Sequence, residues 1–377
     1  MRFRSTAGGA LGALTLALGP ATLSAPAHAA APIACDEAVL VSAIEAANDA
    51  GGGTIDLAAN CVYTLAEITP AEGGKGPNGL PVIREDITIN GTNSVIERST
   101  VPGTPEFRIF EVGGTNGELT LNRVTLRNGN LAGGGEGGAI YVHDDRVLTV
   151  RSSILANNTA ATGGGAIRSN GTATITASTL RDNHARAGGG IYAFGKSTTI
   201  VSTIISGNEA DFGGGIGNES PSNMTIRASY VQGNTSRFDG GGIGNLGGAT
   251  LTVQSSHISN NSAGPFGGGI INFGTVTLNS SSVNDNTATI GGGITNSGTI
   301  NVNDSTLKGN KAGSLGGGLS NFSGTATLTN SSVSGNSAAN AGGIYENSGT
   351  VTLVRGSVTA NTPNNCQSAG AVPGCTN

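Results

Sequence analysis

Residues 240–263 read Gly-Gly-Gly-Ile-Gly-Asn-Leu-Gly-Gly-Ala-Thr-Leu-Thr-Val-Gln-Ser-Ser-His-Ile-Ser-Asn-Asn-Ser-Ala. The stretch holds a glycine run closed by Ile243, a polar turn, a Thr-rich apolar alternation, and a Ser-x-Ile-x-x-Asn-x-Ala tail. The same unit returns along most of the chain. The residue closing each glycine run is Ile140, Ile167, Ile191, Ile216, Ile243, Ile270, Ile294, Leu319 and Ile344, at intervals of 27, 24, 25, 27, 27, 24, 25 and 25. A second marker keeps step, namely Asn158, Asn183, Asn208, Asn234, Asn261, Asn286, Asn310, Asn336 and Asn361. Two markers sharing one period of about 25 residues are the signature of a solenoid.

Within a unit the apolar residues alternate with Thr, Asn, Arg or Gln, as in Leu251 and Val253 or Val276 and Leu278. Period two is the signal of a half-buried strand. A second strand is expected on each Gly-Gly-Gly-Ile and a third on Ser-x-(Ile/Val/Leu), as in Ser281-Ser282-Val283. No unit holds a ten-residue amphipathic helix, and a propeller blade needs about 40 residues. Three short strands and three turns per unit make one coil of a three-sided parallel β-helix. Parallel crossovers prefer the right hand, so the expected fold class is all-β, a right-handed parallel β-helix. Strands stacked about 4.8 Å apart give the nine coils a length of roughly 40 Å. The Asn column is read as a hydrogen-bonding stack at a turn, and Gly supplies φ > 0 where the coil bends.

The organisation follows. Arg2 and Arg4, the apolar run Ala7–Leu18 and Ala27-His28-Ala29 make residues 1–29 a secretory signal peptide. The run is interrupted and short of the roughly 20 residues a membrane span needs, and no later stretch qualifies. Residues 30–60 are an N-terminal cap, with a short amphipathic helix over Asp36–Asn48. Residues 61–136 are irregular coils, 137–361 the regular repeats, and 362–377 a C-terminal disulfide cap. Cys35, Cys61, Cys366 and Cys375 allow three pairings. The local pairing, Cys35–Cys61 and Cys366–Cys375, is expected because the ends of a solenoid fray and an exported chain keeps bridges.

Composition narrows the partners. The 19 basic side chains, less Arg2 and Arg4, leave 17 against 24 acidic ones, a net charge of −7. A thinly charged, mildly acidic surface excludes nucleic acid as a partner. The 64 glycines in 377 residues, about 17% against a usual 7% or so, fit repeated corners rather than disorder, since a disordered chain has no reason to hold a phase.

Gly137-Gly138-Ala139-Ile140 and Gly164-Gly165-Ala166-Ile167 resemble the GGAI half of the repeat in polymorphic outer-membrane-protein β-helices. Val231-Gln232-Gly233-Asn234 resembles that family's FxxN half, with an aliphatic residue in place of Phe. Cys35, Ala43-Ile44-Glu45-Ala46-Ala47-Asn48, Gly53-Thr54-Ile55 and Tyr63-Thr64-Leu65 resemble the N-terminal module of secreted bacterial β-helix proteins of the CSLREA type, departing at Asp36-Glu37-Ala38. The resemblance implies export, a right-handed β-helix and an adhesin-like role at a surface.

Candidate chemistry is sparse. The same scaffold carries polysaccharide-active enzymes, whose hydrolytic members need paired carboxylates about 5–10 Å apart. Asp211 and Asp239, before Gly triplets on adjacent coils, are the best regular pair. His143-Asp144-Asp145-Arg146 is the densest cluster, expected on an exposed hairpin-like turn between two strands, with a catalytic or calcium site as its candidate functional role. Arg84, Glu97 and Arg108, with their charged neighbours, are candidates for a binding cleft in the irregular coils. Phe212, Phe238 and Phe266 precede successive Gly triplets, with Ile290 and Leu315 continuing the column, and are a candidate sugar platform. No catalytic residue, metal ligand or cofactor is assigned. The expectation is an exported, monomeric, non-catalytic protein, secreted or surface-associated, with a carbohydrate or cell-surface ligand; the alternative is a pectate-lyase-like or glycoside-hydrolase enzyme.

Overall fold

The computed structural model describes residues 31–368 and 372–377; the signal peptide expected over residues 1–29, with its cleavage site, falls outside them. The chain winds as a right-handed parallel β-helix of about 11 turns. Among the described residues, the strands form sheets of 22, 11 and 8 strands, all parallel from coil to coil. One coil runs Thr235–Asp239, Ile243–Leu246, Thr250–Gln254 and His257–Ser259. This is four strand segments where the sequence predicts three. The last two share one bent sheet, and the additional one follows the column Asn. The Gly triplet is itself a corner, and its strand begins at the Ile.

The columns explain why the coil closes. Ile140, Ile167, Ile191, Ile216, Ile243, Ile270, Ile294, Leu319 and Ile344 pair in register and are fully buried. Each contributes on the order of 1.5–3 kcal/mol through its burial. Opposite them stand the inward residues of the alternating strands, such as Leu251, Val253, Val276 and Leu278.

The Asn column forms a saturated ladder. Asn261 Oδ1 accepts from the N–H and Nδ2 of Asn234 at 2.9 and 3.0 Å. Its Nδ2 donates to Val231 O at 2.9 Å and to Asn286 Oδ1 at 3.0 Å. A primary amide has two donors and two acceptor sites, and all four are filled. The residue before each ladder Asn has φ between 55° and 67°. That left-handed position suits Gly, Asn and Asp, which accounts for Gly207-Asn208, Gly233-Asn234, Gly309-Asn310 and Gly335-Asn336. It equally places Asp182 and Asp285 as turn residues.

Two further ladders run parallel. Ser153, Ser178, Thr203, Ser229, Ser256, Ser281, Ser305 and Ser331 pass a backbone N–H to the next hydroxyl at 3.0–3.3 Å. Asn218, Asn245, Asn272, Asn296 and Asn321 link side chain to side chain at 2.7–2.8 Å, ending on Glu346. Glycine is forced at the corner itself. Gly213 has φ 63°, and a Cβ on Gly214 would meet the Gly241 carbonyl oxygen of the next coil at 2.4 Å.

Both ends are closed. The helix Glu37–Asp49 starts at Asp36, whose carboxylate accepts the Val39 N–H at 3.1 Å. Its buried face, Leu40 and Ile44, joins the core cluster at the open end of the first coil. Cys35–Cys61 and Cys366–Cys375 are both bridged, with Cα atoms 5.8 and 6.3 Å apart, so the local pairing holds. Asn365 terminates the ladder, its Oδ1 accepting the Asn361 Nδ2 at 3.1 Å. No helix among the described residues is long and apolar enough to cross a membrane.

The ladder sets a stability prediction. Asn261→Ala removes a filled amide, leaves the Asn234 N–H without its acceptor in the interior and withdraws the donor to Val231 O and Asn286 Oδ1. The denaturant midpoint should fall by an amount equivalent to about 1–3 kcal/mol. An unchanged midpoint would show that the amide ladder carries no stability of its own.

Candidate functional site

Three columns of side chains, each fixed by its offset from the core Ile, enclose a groove along the outer face of the 11-stranded sheet. The residue after the Ile points outward and makes the floor: Glu111, Tyr141, Arg168, Tyr192, Gly217, Gly244, Ile271 and Thr295, paired in that order. The residue three after the Ile makes one wall: Phe194, Glu219, Leu246, Phe273, Ser297 and Phe322. The residue four before it makes the other: Gly163, Ala187, Phe212, Asp239, Phe266 and Ile290, joined through successive bridges.

The floor sequence explains why a trough exists. Gly217 and Gly244 leave the outward position without a side chain. The Tyr192 ring lies over Gly217, where a Cβ would approach its Cδ2 to 2.5 Å. The result is about 540 Å³ of open space bordered by Arg168, Tyr192, Phe194, Phe212, Glu219 and Asp239. A second, apolar stretch of about 250 Å³ continues it between Phe266, Ile271, Phe273 and Phe322. Phe273 lines both. Phe194 is 40% exposed and Phe273 48%, and such large exposed apolar side chains in one row mark a contact surface.

Charge is distributed unevenly along it. Arg168 is only 7% exposed. Its guanidinium lies 4.4 Å from the Tyr192 ring centroid and 5.3 Å from that of Phe194, an arrangement that stabilises a cation. Burial lowers its pKa, opposed by Glu136. Asp239 stands further along the opposite wall from Glu219. Burial raises its carboxyl above the ordinary value, and its Oδ1 has no hydrogen-bond partner.

The floor column continues under the segment 67–81 into a closed cluster. Glu111, fully buried, accepts from Asn78 Nδ2 at 2.6 Å and from the Glu72 N–H at 3.2 Å, and lies 2.6 Å from His143 Nε2. Arg108 is equally buried. It donates to Gly76 O at 2.7 Å and lies 5.0 Å from the Tyr141 ring centroid. Burial pushes the Arg108 guanidinium down to about 10 and the Tyr141 phenol up to about 12. Burial opposes ionisation of Glu72, but the Gly114 N–H and Arg84 outweigh it and hold its carboxyl below the ordinary value.

The residues singled out from sequence are thus redistributed. His143-Asp144-Asp145-Arg146 is not one exposed hairpin-like turn, because the strands on either side belong to different sheets. His143 turns inward to Glu111, Asp144 is exposed, Asp145 pairs with Lys196 and Arg146 donates to Gly114 O at 2.6 Å. Arg84, Glu97 and Arg108 form no common cleft: Arg84 pairs with Glu72 at 2.9 Å, Glu97 pairs with Arg127, and Arg108 is interior. Phe212 and Phe266 line the groove. Phe238 does not, because a bulge in Thr235–Asp239 puts Asp239 in register with Phe212, leaving Phe238 outside against Phe212 at 5.4 Å. Tyr141, Arg168, Tyr192, Phe194 and Phe273 were not singled out from sequence. Their signal was available as fixed offsets from the core Ile.

Residues 164–333 match the family model of a right-handed β-helix region. Those residues carry the coils that form the groove. Among solved structures, the chain is similar to the A-module of mannuronan C-5 epimerase AlgE4 from Azotobacter vinelandii, with 15% identity, 89% of this chain and 94% of that chain covered, and a TM-score of 0.45. It is also similar to the AlgE6 A-module from the same organism, with 14% identity, coverages of 90% and 97%, and a TM-score of 0.33. No curated protein matches the sequence.

The closed cluster yields a prediction. Glu111→Leu removes the acceptor for Asn78 and the Glu72 N–H, deletes the ion partner of His143 at 2.6 Å, and takes away a carboxylate whose field favours the buried Arg108 charge. Breaking a buried charge pair from one side costs about 3–5 kcal/mol, readable as a lowered urea midpoint. Adding Arg108→Met should recover much of that loss. A single variant as stable as the parent would place Glu111 outside the folding balance.

Proposed function

We propose that this chain is an exported, monomeric, non-catalytic β-helix protein that binds an extended glycan of a cell surface or matrix along the groove. The observation that carries the reading is the row Tyr192, Phe194, Phe212, Phe273, Phe266 and Phe322. These aromatics line one continuous trough parallel to the solenoid axis. Coils repeat about every 4.8 Å, comparable to one pyranose unit in an extended chain. Aromatic faces accept the C–H faces of sugar rings, while Glu219, Asp239 and Arg186 offer hydrogen bonds to hydroxyls. A mostly apolar cleft with a few placed polar groups is the usual form of a small-molecule site. Two disulfides support an oxidising compartment.

A second reading, glycan cleavage, is favoured by one feature: Asp239 and Glu219 stand on opposite walls of the same trough, and Asp239 holds its proton more tightly than an ordinary carboxyl. A carboxyl that holds its proton is what the general acid of glycoside hydrolysis uses.

One experiment separates the readings. The mature protein is screened on a glycan array, and its hits are titrated and incubated to look for new reducing ends or unsaturated uronides. Saturable binding with no product, weakened about tenfold or more by Phe194→Ala or Phe273→Ala without change in melting temperature, is the expected result. Binding indifferent to both variants overturns the groove. Product formation abolished by Asp239→Asn establishes the enzyme instead.

A further inference from the structure

We infer that the Phe266–Phe322 end of the groove is a subsite for an aliphatic chain, and that the glycan carries that chain on its terminal unit, as a glycolipid does. The inference rests on the glycan reading and adds a ligand class and a direction. The two stretches of the groove differ in chemistry. The larger borders Glu136, Arg168, Arg186, Glu219 and Asp239 beside its aromatics. The smaller is bordered by Phe266, Ile271, Phe273, Thr295, Ser297 and Phe322, with no charged side chain among them. Its polar atoms are few, and one is already engaged: the Thr295 hydroxyl donates to Ile290 O at 3.0 Å. The wall beside it stays apolar from coil to coil, since Phe266, Ile290 and Leu315 pair in succession.

A sugar ring is rimmed with hydroxyls, and a hydroxyl withdrawn from water without a partner is penalised. Methylene groups need no hydrogen bond and gain from each apolar contact. The rings here do not form one flat platform. Phe322 meets Phe266 at 86° and Tyr345 at 57°, with centroids 6.3 and 6.2 Å apart. Rings set at such angles touch a narrow apolar group from more than one side. Phe273 borders both stretches and is 48% exposed, so a ligand lying along the groove passes there from hydrogen-bonding groups to hydrocarbon. A plain glycan would leave Phe266 and Phe322 unmatched, and a plain hydrocarbon would leave Glu219, Asp239 and Arg186 unmatched. The stretches follow one another along the axis, so the chain continues the glycan end to end; a branch from an internal unit would leave the groove sideways. The apolar stretch covers the coils of Ile270, Ile294 and Leu319, two coil spacings or roughly 10 Å. One coil on, the walls turn polar at Asn340 and Asn347, which bounds the chain.

The test uses the mature full chain and neutral trisaccharides of gluco, manno and galacto configuration. Each is offered free and as its methyl, butyl and hexyl glycosides, below micelle-forming concentrations. Titration calorimetry reads Kd against chain length. For the trisaccharides that bind, affinity should rise about threefold to fourfold per methylene and level off once the chain fills the stretch. Phe322→Ala should flatten that rise. Ser297→Asp, which sets a charge on the wall and removes no ring, should flatten it too and covers the case in which Phe322→Ala fails to fold. Equal affinity along the series, still weakened by Phe194→Ala, overturns the aliphatic subsite and leaves the glycan groove standing. A rise that survives both variants rejects the assignment to this stretch. The same alkyl chains on a tetraethylene glycol head, bound as tightly as the glycosides, would keep the apolar site and overturn the glycan reading. Binding of no member of any series overturns both. Sedimentation as a dimer that Phe322→Ala converts to a monomer gives the stretch to a second copy and overturns the inference.

Discussion

A chain wound into parallel coils turns several corners per coil, and each corner pushes backbone N–H and C=O groups toward a dry interior. Unpaired groups there would cost more than the apolar core returns. The constraint is met by side chains that imitate the backbone and stack. From Asn183 onward each ladder Asn side chain closes at least four hydrogen bonds, two accepted from the coil before and the rest donated to the next coil and to backbone carbonyls. The ladder works only if the preceding residue takes a left-handed φ, so Gly, Asn and Asp collect there. The Ser/Thr ladder imposes the same backbone on Ala177 and Ala228, with φ of 49° and 48°. Side chains that ordinarily avoid this region accept it because the coils above and below determine it.

The same logic governs the ends. A ladder is a column of donors seeking acceptors, and it must stop on something. At the start Gly129 donates its N–H to Asn158. At the finish Asn365 supplies the last acceptor and passes its own amide to Thr376 O at 2.7 Å. The second Asn column stops on Glu346, whose carboxylate accepts what an amide would have accepted and needs no further donor. The Cys366–Cys375 bridge sits at that finish and Cys35–Cys61 at the first coil of the solenoid, where one neighbour is missing and stacking gives only half its usual support.

How much of this was legible follows from repetition. The Ile and Asn columns could be read because nine coils present the same residue at the same phase. The coil corners could be read because Gly and Asn have narrow backbone reasons for being there. The strand after each column Asn escaped notice. Its inward residue is a single small side chain, such as Ala185, Ala210, Ala288 or Ala312, which gives no apolar alternation. The irregular coils were read as charged patches because proximity in sequence was taken for proximity in space. The long segment 67–81 folds back across them instead and buries Arg108 with Glu111.

The groove is the complementary case, since it consists of departures from the repeat. The floor position after the core Ile carries Tyr141, Arg168, Tyr192, Gly217, Gly244 and Ile271 in succession, with no one residue kept along the column. The coil needs nothing particular there, because that side chain points away from the core and from every ladder. A solenoid can therefore vary its outward columns freely while its inward columns stay fixed. The trough arises where two glycines follow two tyrosines, and it is walled where the flanking columns happen to hold Phe. Phe238 shows how narrow the margin is: one extra residue in its strand moves it out of the wall and puts Asp239 in its place. In such a fold the repeating positions specify the architecture. The positions that break the repeat, read column by column at fixed offsets from the core Ile, are where binding chemistry can reside.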